Sequence, residues 1–412
     1  MKRIAIIGGG ISGLSVLHYL KQRFGNEVET TLYERESQVG GTIRSFKNDS
    51  CLFEWGPNGF LDNQPTVLEL IDGFGVTDQL IEANPTSRHR YIQLNGQLIS
   101  VPTGPLGLIG TSLLSLKDKC ALIAGLFKKN LSTDRTIYDY VSQRFSEGIA
   151  ESIVDPFISG IYAGDIRRLH MASAFPKFKR KGFKRTRMRS FKNGMGQFTE
   201  ILYKRYKDHI KINSEVSTKP INADVIIVAT PAYIASKILD PVNPVLARAL
   251  DQMPYAPIAV AGLLFKQDSF KKKPDGFGYL IASKEKKDVL GVLIESNVYE
   301  GRSNEGQVMM RVMLGGAHHP AIINDSPEQV LAKAIKEIDS VYGLSANPMV
   351  TLVKQWPKAI PQYEINYPTW RQSIAEQCAR TPGLYLCANY LDGVSFNDCI
   401  NNAKTLVASI KI

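Results

Sequence analysis

Lys2 to Glu34 reads KRIAIIGGGISGLSVLHYLKQRFGNEVETTLYE, and its parts agree with one another. A short apolar run ends at Gly8, a helical pattern covers Ile11 to Phe24, and a second strand pattern runs from Val28 to Glu34. Strand, helix and strand in that order open a doubly wound parallel sheet. Gly8, Gly10 and Gly13 fall at G-x-G-x-x-G spacing where the first strand passes into the helix. Glycine is needed there for the tight turn, for approach of the main chain to a pyrophosphate, and for close packing of helix on strand. The first helical residues, Ile11 and Ser12, add free N–H groups and the positive end of the helix dipole. Glu34 stands 21 residues beyond Gly13, at the end of the second strand, where a carboxylate can accept hydrogen bonds from a ribose. A dinucleotide site is the expectation.

Two later segments have the same strand character, ADVIIVATPA (223–232) and GLYLCANY (383–390), the second followed by a final helix. One sheet assembled from three separated pieces of chain accounts for them, and the stretches between become inserted domains. At 412 residues the chain is past the size of a single core. The expected division is a discontinuous dinucleotide domain at 1–83, 188–244 and 374–412, a β-rich domain at 84–90 and 245–373, and a helical insertion at 91–187. Segments such as IAVAGLLF and VMMRVML give the second domain its strands.

Hydrophobic residues at 44% and charged residues at 22% describe an ordinary globular chain and argue against disorder or a disulfide scaffold. The five cysteines form no CxxC pair and the six histidines take no metal-ligand spacing, so no metal site and a reducing compartment are expected. The N-terminal apolar run leads into the glycine motif instead of a cleavage site, and no window has the 18 or so apolar residues of a spanning helix. If this protein meets a membrane, it lies on it. The net charge of +11 is local: the thirteen residues KFKRKGFKRTRMR (177–189) carry eight positive charges and no negative one. No nucleic-acid-binding motif accompanies them, and no nucleic-acid partner is expected.

After Glu34 the chain continues RESQVGGTIRS, in which Gly40 and Gly41 let the backbone touch a dinucleotide and Arg44 can balance diphosphate charge. This segment resembles the second signature of the glutathione-reductase-like and amine-oxidase-like FAD proteins. LFEWGPNGF (52–60), PFISGIYAGD (156–165), SFKNGMGQF (190–198), IPQY (360–363) and PGLYLCANYLDGVSFNDCI (382–400) follow in order. Together these blocks resemble the protoporphyrinogen oxidase family over nearly the whole chain.

The resemblance implies an FAD domain of the amine-oxidase type, a β-rich substrate domain and a helical, membrane-associated insertion. It implies non-covalent FAD held by Gly8, Gly10, Ile11, Ser12, Gly13, Glu34, Arg35, Gly41, Thr42, Arg44, Gly56, Pro57, Asn58, Val216, Val394 and Ser395. The substrate would be protoporphyrinogen IX, oxidised to protoporphyrin IX in haem biosynthesis by three two-electron hydride transfers to flavin N5. Dioxygen or a quinone would reoxidise the flavin. Arg90 is expected to grip a substrate propionate, while Phe277 and Leu280 of DGFGYL and Met313 of RVMLGG form an apolar slot for the macrocycle. No catalytic acid or base is expected, since the flavin carries the chemistry, and His89, His170, His318 and His319 remain surface or structural residues.

The family pattern is broken at Ala388, where many relatives have glycine, and between Pro176 and Ser190, where relatives have a longer helical stretch. Coproporphyrinogen III as substrate, or a non-catalytic flavin- or anion-binding relative, are the alternatives. A cytoplasmic enzyme on the inner membrane's cytoplasmic face, with a homodimer compatible, is the expected setting. Gly104 to Leu116 and a second apolar run ending at Lys128-Lys129 are expected to dip into one leaflet, with lysines and the 177–189 stretch at the headgroups.

Overall fold

A computed structural model describes residues 1–102, 104–128, 131–175, 186–216 and 222–411. The first strand, Lys2–Ile7, is buried over its last four residues. A run such as Ile4-Ala5-Ile6-Ile7, apolar without alternation, suits a parallel strand covered on both faces. It pairs in parallel with Val28–Tyr33, Ile4 opposite Thr30, and with Val225–Val228, Ile6 opposite Ile227. Ile210–Lys211 and Leu384–Leu386 complete a five-stranded parallel sheet. The expected strands at the beginning, middle and end of the chain therefore do share one sheet. The helices Ile11–Phe24 and Phe396–Ser409 pack over it, joining Leu14, Leu17, Leu20, Ile400, Ala403 and Val407 in one core.

A second, seven-stranded sheet follows the order Val350–Pro361, Tyr255–Lys266, Gln307–Gly315, Val289–Ile294, Gly278–Ile281, Arg90–Leu94, Gln97–Ser100. Its pairings are antiparallel except that Gly278–Ile281 runs parallel to Arg90–Leu94. The helix Pro327–Tyr342 covers one face with Val330, Ala334, Ile338 and Tyr342. The hairpin Arg90–Ser100, turned by Asn95 and Gly96 with φ of 52° and 71°, belongs to this sheet. Positive φ at both central residues matches the twist of the flanking strands. The expected start of the helical insertion at residue 91 therefore cuts a strand, and the helices begin only after Ser100.

Those helices include Leu116–Phe127, Ile137–Arg144 and Asp155–Tyr162. The last lies against the sheet so closely that a Cβ on Gly160 would come within 2.9 Å of Leu280 Cδ2. Among the described residues no helix is long and apolar enough to cross a membrane. Most of the basic stretch 177–189 lies outside the described residues; Met188 and Arg189 form part of a strand, Met188–Phe191, between Phe60–Leu61 and Leu80–Glu82.

Candidate cofactor and substrate site

The glycine loop is shaped by what its backbone touches. Gly8 has φ of +107°, and a side chain there would meet Ala229 O at 2.9 Å. A Cβ on Gly13 would lie 2.0 Å from Gly8 O, so only glycine lets this helix seat on its strand. Gly10 differs, since a Cβ there would meet nothing within 4 Å. The helix Ile11–Phe24 starts at Gly10 without a side-chain cap and without an acidic residue in its first turn. Uncapped N–H groups and a positive dipole end therefore face open space, which is the arrangement an anion requires.

Glu34 stands beside this loop, buried, with Oε2 accepting the Gly9 N–H at 2.7 Å and Oε1 accepting the Glu36 N–H at 2.8 Å. These bonds orient the carboxylate and leave each oxygen a lone pair for a ribose hydroxyl. Ser214 N donates to Glu34 O at 2.8 Å, which brings the segment ending at Val216 to the same place. Arg35 is exposed and paired with Glu36 at 3.1 Å.

The second glycine pair closes on the first. Gly40 N donates to Gly9 O at 2.8 Å, and a Cβ on Gly41 would sit 3.4 Å from Gly10 Cα. Trp55 N donates to Arg44 O at 2.9 Å, and a Cβ on Gly56 would fall 2.2 Å from Thr42 O. The loop Trp55–Asn58 is thereby laid along Gly41, Thr42 and Arg44. Arg44 Nε and Asn58 Nδ2 are buried with no partner among the described residues. Such orphaned donors are rare unless a ligand or water satisfies them, so the residues present fit a dinucleotide lying from Glu34 across Gly10 to Asn58.

At the far end, Phe396–Ser409 begins beside the first helix, where the Cys399 thiol hydrogen-bonds Ser12. Burial pushes Cys399 up to about 11, so it is a neutral thiol. Ser395 is the N-cap, but its hydroxyl and its N–H both engage Asp398 Oδ2, at 2.5 and 3.3 Å. What this terminus can offer a ligand is the main chain of Val394 and of the first turn.

The opposite wall is the face of the seven-stranded sheet turned away from Pro327–Tyr342. Leu280, Gly291 and Met313 are register partners on three neighbouring strands, so they share that face, and the missing side chain at Gly291 separates the other two. Met313 is half-buried among Ala163, Ala256 and Leu290. Arg90, opposite Gly278, lays its guanidinium 4.7 Å from the centre of the Phe277 ring. Among the described residues it has no carboxylate within ion-pair distance. Phe277 N donates to His89 O at 2.8 Å, fixing the ring beneath the arginine.

Sequence reasoning missed three parts of this region. Thr230, against Gly8, has a buried hydroxyl without a partner among the described residues. Tyr363 of the IPQY block clamps the turn before the last helix, donating to Asn389 O at 2.6 Å and accepting from Gly393 N at 3.0 Å. Four buried charged residues, Glu54, Glu295, Arg302 and Arg311, lie beneath the Trp55–Asn58 loop.

A parallel sheet with an uncapped glycine turn, set against a second sheet with an apolar face, is the arrangement of a dinucleotide-binding flavoprotein. The family described as flavin containing amine oxidoreductase matches residues 11–410, and the chain belongs to that family. It is an FAD-dependent oxidoreductase. The chain is 24% identical to the coproporphyrinogen III oxidase of Bacillus subtilis, over 99% of this chain and 97% of that one. It is 25% identical to a chloroplastic protoporphyrinogen oxidase 1 of Spinacia oleracea, over 98% and 83%. A crystal structure from Exiguobacterium sp. 255-15, provisionally named protoporphyrinogen oxidase, superposes with a TM-score of 0.86 at 20% identity, covering 99% and 98% of the two chains. UDP-galactopyranose mutase shares the fold with a TM-score of 0.76 at 13% identity, covering 99% and 93%.

Proposed function

We propose that this enzyme oxidises a porphyrinogen to the porphyrin, with protoporphyrinogen IX as the substrate and coproporphyrinogen III as the alternative. The observation that carries the reading is Arg90, a cation stacked on Phe277, without a carboxylate partner among the described residues, at the edge of an apolar wall containing Leu280 and Met313. A macrocycle with apolar faces and charged propionates matches that combination. The relatives' names, which include both porphyrinogen oxidases, support it.

Bound FAD would supply a two-electron acceptor, so the six-electron oxidation takes three rounds, each releasing a hydride from the macrocycle and a proton to solvent, with dioxygen or a quinone as final acceptor. Arg90 grips a propionate and sets which edge of the macrocycle points outward. Leu280 and Met313 hold its face and exclude water, which brings the reacting carbon to the cofactor without an acid or base from the protein. Glu34, the glycine loop and Val216 hold the nucleotide end, and Gly56, Pro57, Asn58 and Val394 the other. Arg44 balances diphosphate charge.

The same reading includes contact with a lipid surface. On the helix Leu116–Phe127, Leu116, Ile123 and Phe127 are 79%, 54% and 85% exposed along one stripe, with Lys117 and Lys128 beside it. An apolar stripe edged by lysines suits the headgroup boundary of an anionic leaflet. Flotation with anionic liposomes tests it, and failure to float at low salt in any lipid would remove the membrane from the proposal.

Anaerobic mixing of the holoenzyme with each porphyrinogen tests the reaction. Bleaching of the flavin band is expected with both, faster with the true substrate. No bleaching with either would overturn the assignment.

A further inference from the structure

Glu54, Glu295, Arg302 and Arg311 are 1%, 0%, 1% and 5% exposed, and none has a part in the reaction described above. Two carboxylates and two guanidiniums make the group neutral. Arg302 Nη1 lies 3.3 Å from Glu54 Oε1, and its Nη2 donates to Ser190 Oγ at 2.7 Å. Glu54 also accepts from Met195 N at 2.8 Å and Ser45 Oγ at 2.7 Å. Arg311 Nε lies 3.0 Å from Glu295 Oε1, and its Nη1 donates to the main-chain oxygens of Glu54, at 3.3 Å, and Gly56.

Apolar residues of similar volume would join two sheets at least as firmly, because each buried charge is stripped of water. Direction is what the guanidinium adds. One nitrogen lies at ion-pair distance from Glu295 without a hydrogen bond to it, and another donates to the carbonyls of the loop, a span that a point charge cannot cover. Arg311 is two residues from Met313 on the same strand, so both side chains leave the same face of the sheet. One strand thus carries a wall residue of the substrate slot and a tether to the loop that lies along Gly41 and Thr42.

We propose that Arg311 is a positioning residue, held by Glu295, that fixes the distance between the substrate wall and the cofactor-facing loop Trp55–Asn58. The proposal rests on the FAD-dependent reading of the site and adds to it a residue that touches neither substrate nor the reacting atoms. Because the Gly56 carbonyl is held from behind, Asn58 and its unpartnered amide are presented at a set position.

Arg311→Lys keeps the charge beside Glu295 and loses the fork. The apoprotein of this variant, reconstituted with FAD, should bind it about tenfold more weakly, and kcat for the porphyrinogen should fall about ten- to a hundredfold with KM within about twofold. The visible circular dichroism of the bound flavin should change as well. The double variant Arg311→Met with Glu295→Met leaves no charge of that pair uncompensated and should show the same losses; it carries the test if the lysine variant does not fold. Wild-type FAD affinity and kcat in a folded variant, or a change confined to KM or to melting temperature, would overturn the proposal. If the wild-type holoenzyme bleaches with neither porphyrinogen, the functional reading fails, while the FAD-affinity and dichroism comparison still decides the role of Arg311.

Discussion

The candidate cofactor cradle and the proposed substrate wall are built on opposite plans. The cradle is mostly main chain and absent side chains, and nearly all of it lies before residue 60: Gly8, Gly10, Gly13, Glu34, Gly41 and Gly56. The proposed wall is made of side chains, Arg90, Phe277, Leu280 and Met313, spread over more than two hundred residues of chain and brought together only by sheet register. A cradle of this kind is broken by adding atoms, whereas a wall is broken by removing them.

Gly13 and Gly10 sharpen that contrast most. Gly13→Val places a Cβ 2.0 Å from the Gly8 carbonyl of the glycine turn, which is main chain and not a movable side chain. The expected cost is about 3 kcal/mol or more, with no folded, flavin-loaded protein recovered. Gly10→Ala meets no protein atom within 4 Å, so its melting temperature without FAD should match the wild type while its flavin content falls sharply. Equal loss of stability in the two variants would mean that the space at Gly10 is not held open for a ligand.

Arg90→Ala should act on the wall alone. A charge-assisted contact to a carboxylate is worth about 1.5 to 3 kcal/mol, so KM should rise roughly ten- to a hundredfold with FAD content unchanged. An unchanged KM would remove Arg90 from the propionate role. Lost flavin would mean that cradle and wall are not separable in the way described.

The same contrast explains how much was legible in the sequence. The glycine turn, the first helix and four of the parallel strands are local signals; the fifth strand, Ile210–Lys211, is two residues long and carries no pattern of its own. Arg90, Phe277, Leu280 and Met313 came from the family resemblance, because no local period in the chain says that Leu280 and Met313 flank Gly291. The expected boundary at residue 91 cuts the strand Arg90–Leu94, although Asn95-Gly96 between apolar strands is a strong hairpin signal; the helices start only beyond that hairpin. The buried charges were missed for a different reason. A lone arginine inside VMMRVML was readable as an oddity, but its partners Glu54 and Glu295 lie 257 and 16 residues away, and only the fold joins them.

A smaller effect separates the two halves by pH. His18, on the helix Ile11–Phe24, is packed among Tyr19, Phe74 and Tyr206, with Nδ1 2.8 Å from the Tyr206 hydroxyl. Burial first, and then the charge of Arg205, push its pKa down to about 4. Between about 4 and 6.5 the unfolded chain therefore binds the proton more readily, and the stability His18 allows is full above 6.5 and is lost as pH falls through that window. His209, next to the short strand Ile210–Lys211 of the same sheet, is lowered too, again mainly by burial. His318, on the turn after the wall strand, lies 3.7 Å from Asp155, whose carboxylate raises its pKa against the effect of burial. Its contribution is present below the unfolded value of 6.5 and is lost as pH rises through the raised one. Going from about pH 7.5 to about pH 5 should therefore loosen the cradle half relative to the wall half. Hydrogen exchange, corrected for the intrinsic rate at each pH, should show lost protection in peptides from Ile11–Tyr33 and kept or increased protection around Asp155 and Ser283–His318. His18→Gln, which keeps a hydrogen-bonding partner for Tyr206 but has no titration, should remove most of the acid response of the first helix. A uniform response of both halves would show that neither histidine sets the local stability, and an unchanged response in the His18 variant would remove His18 from that role.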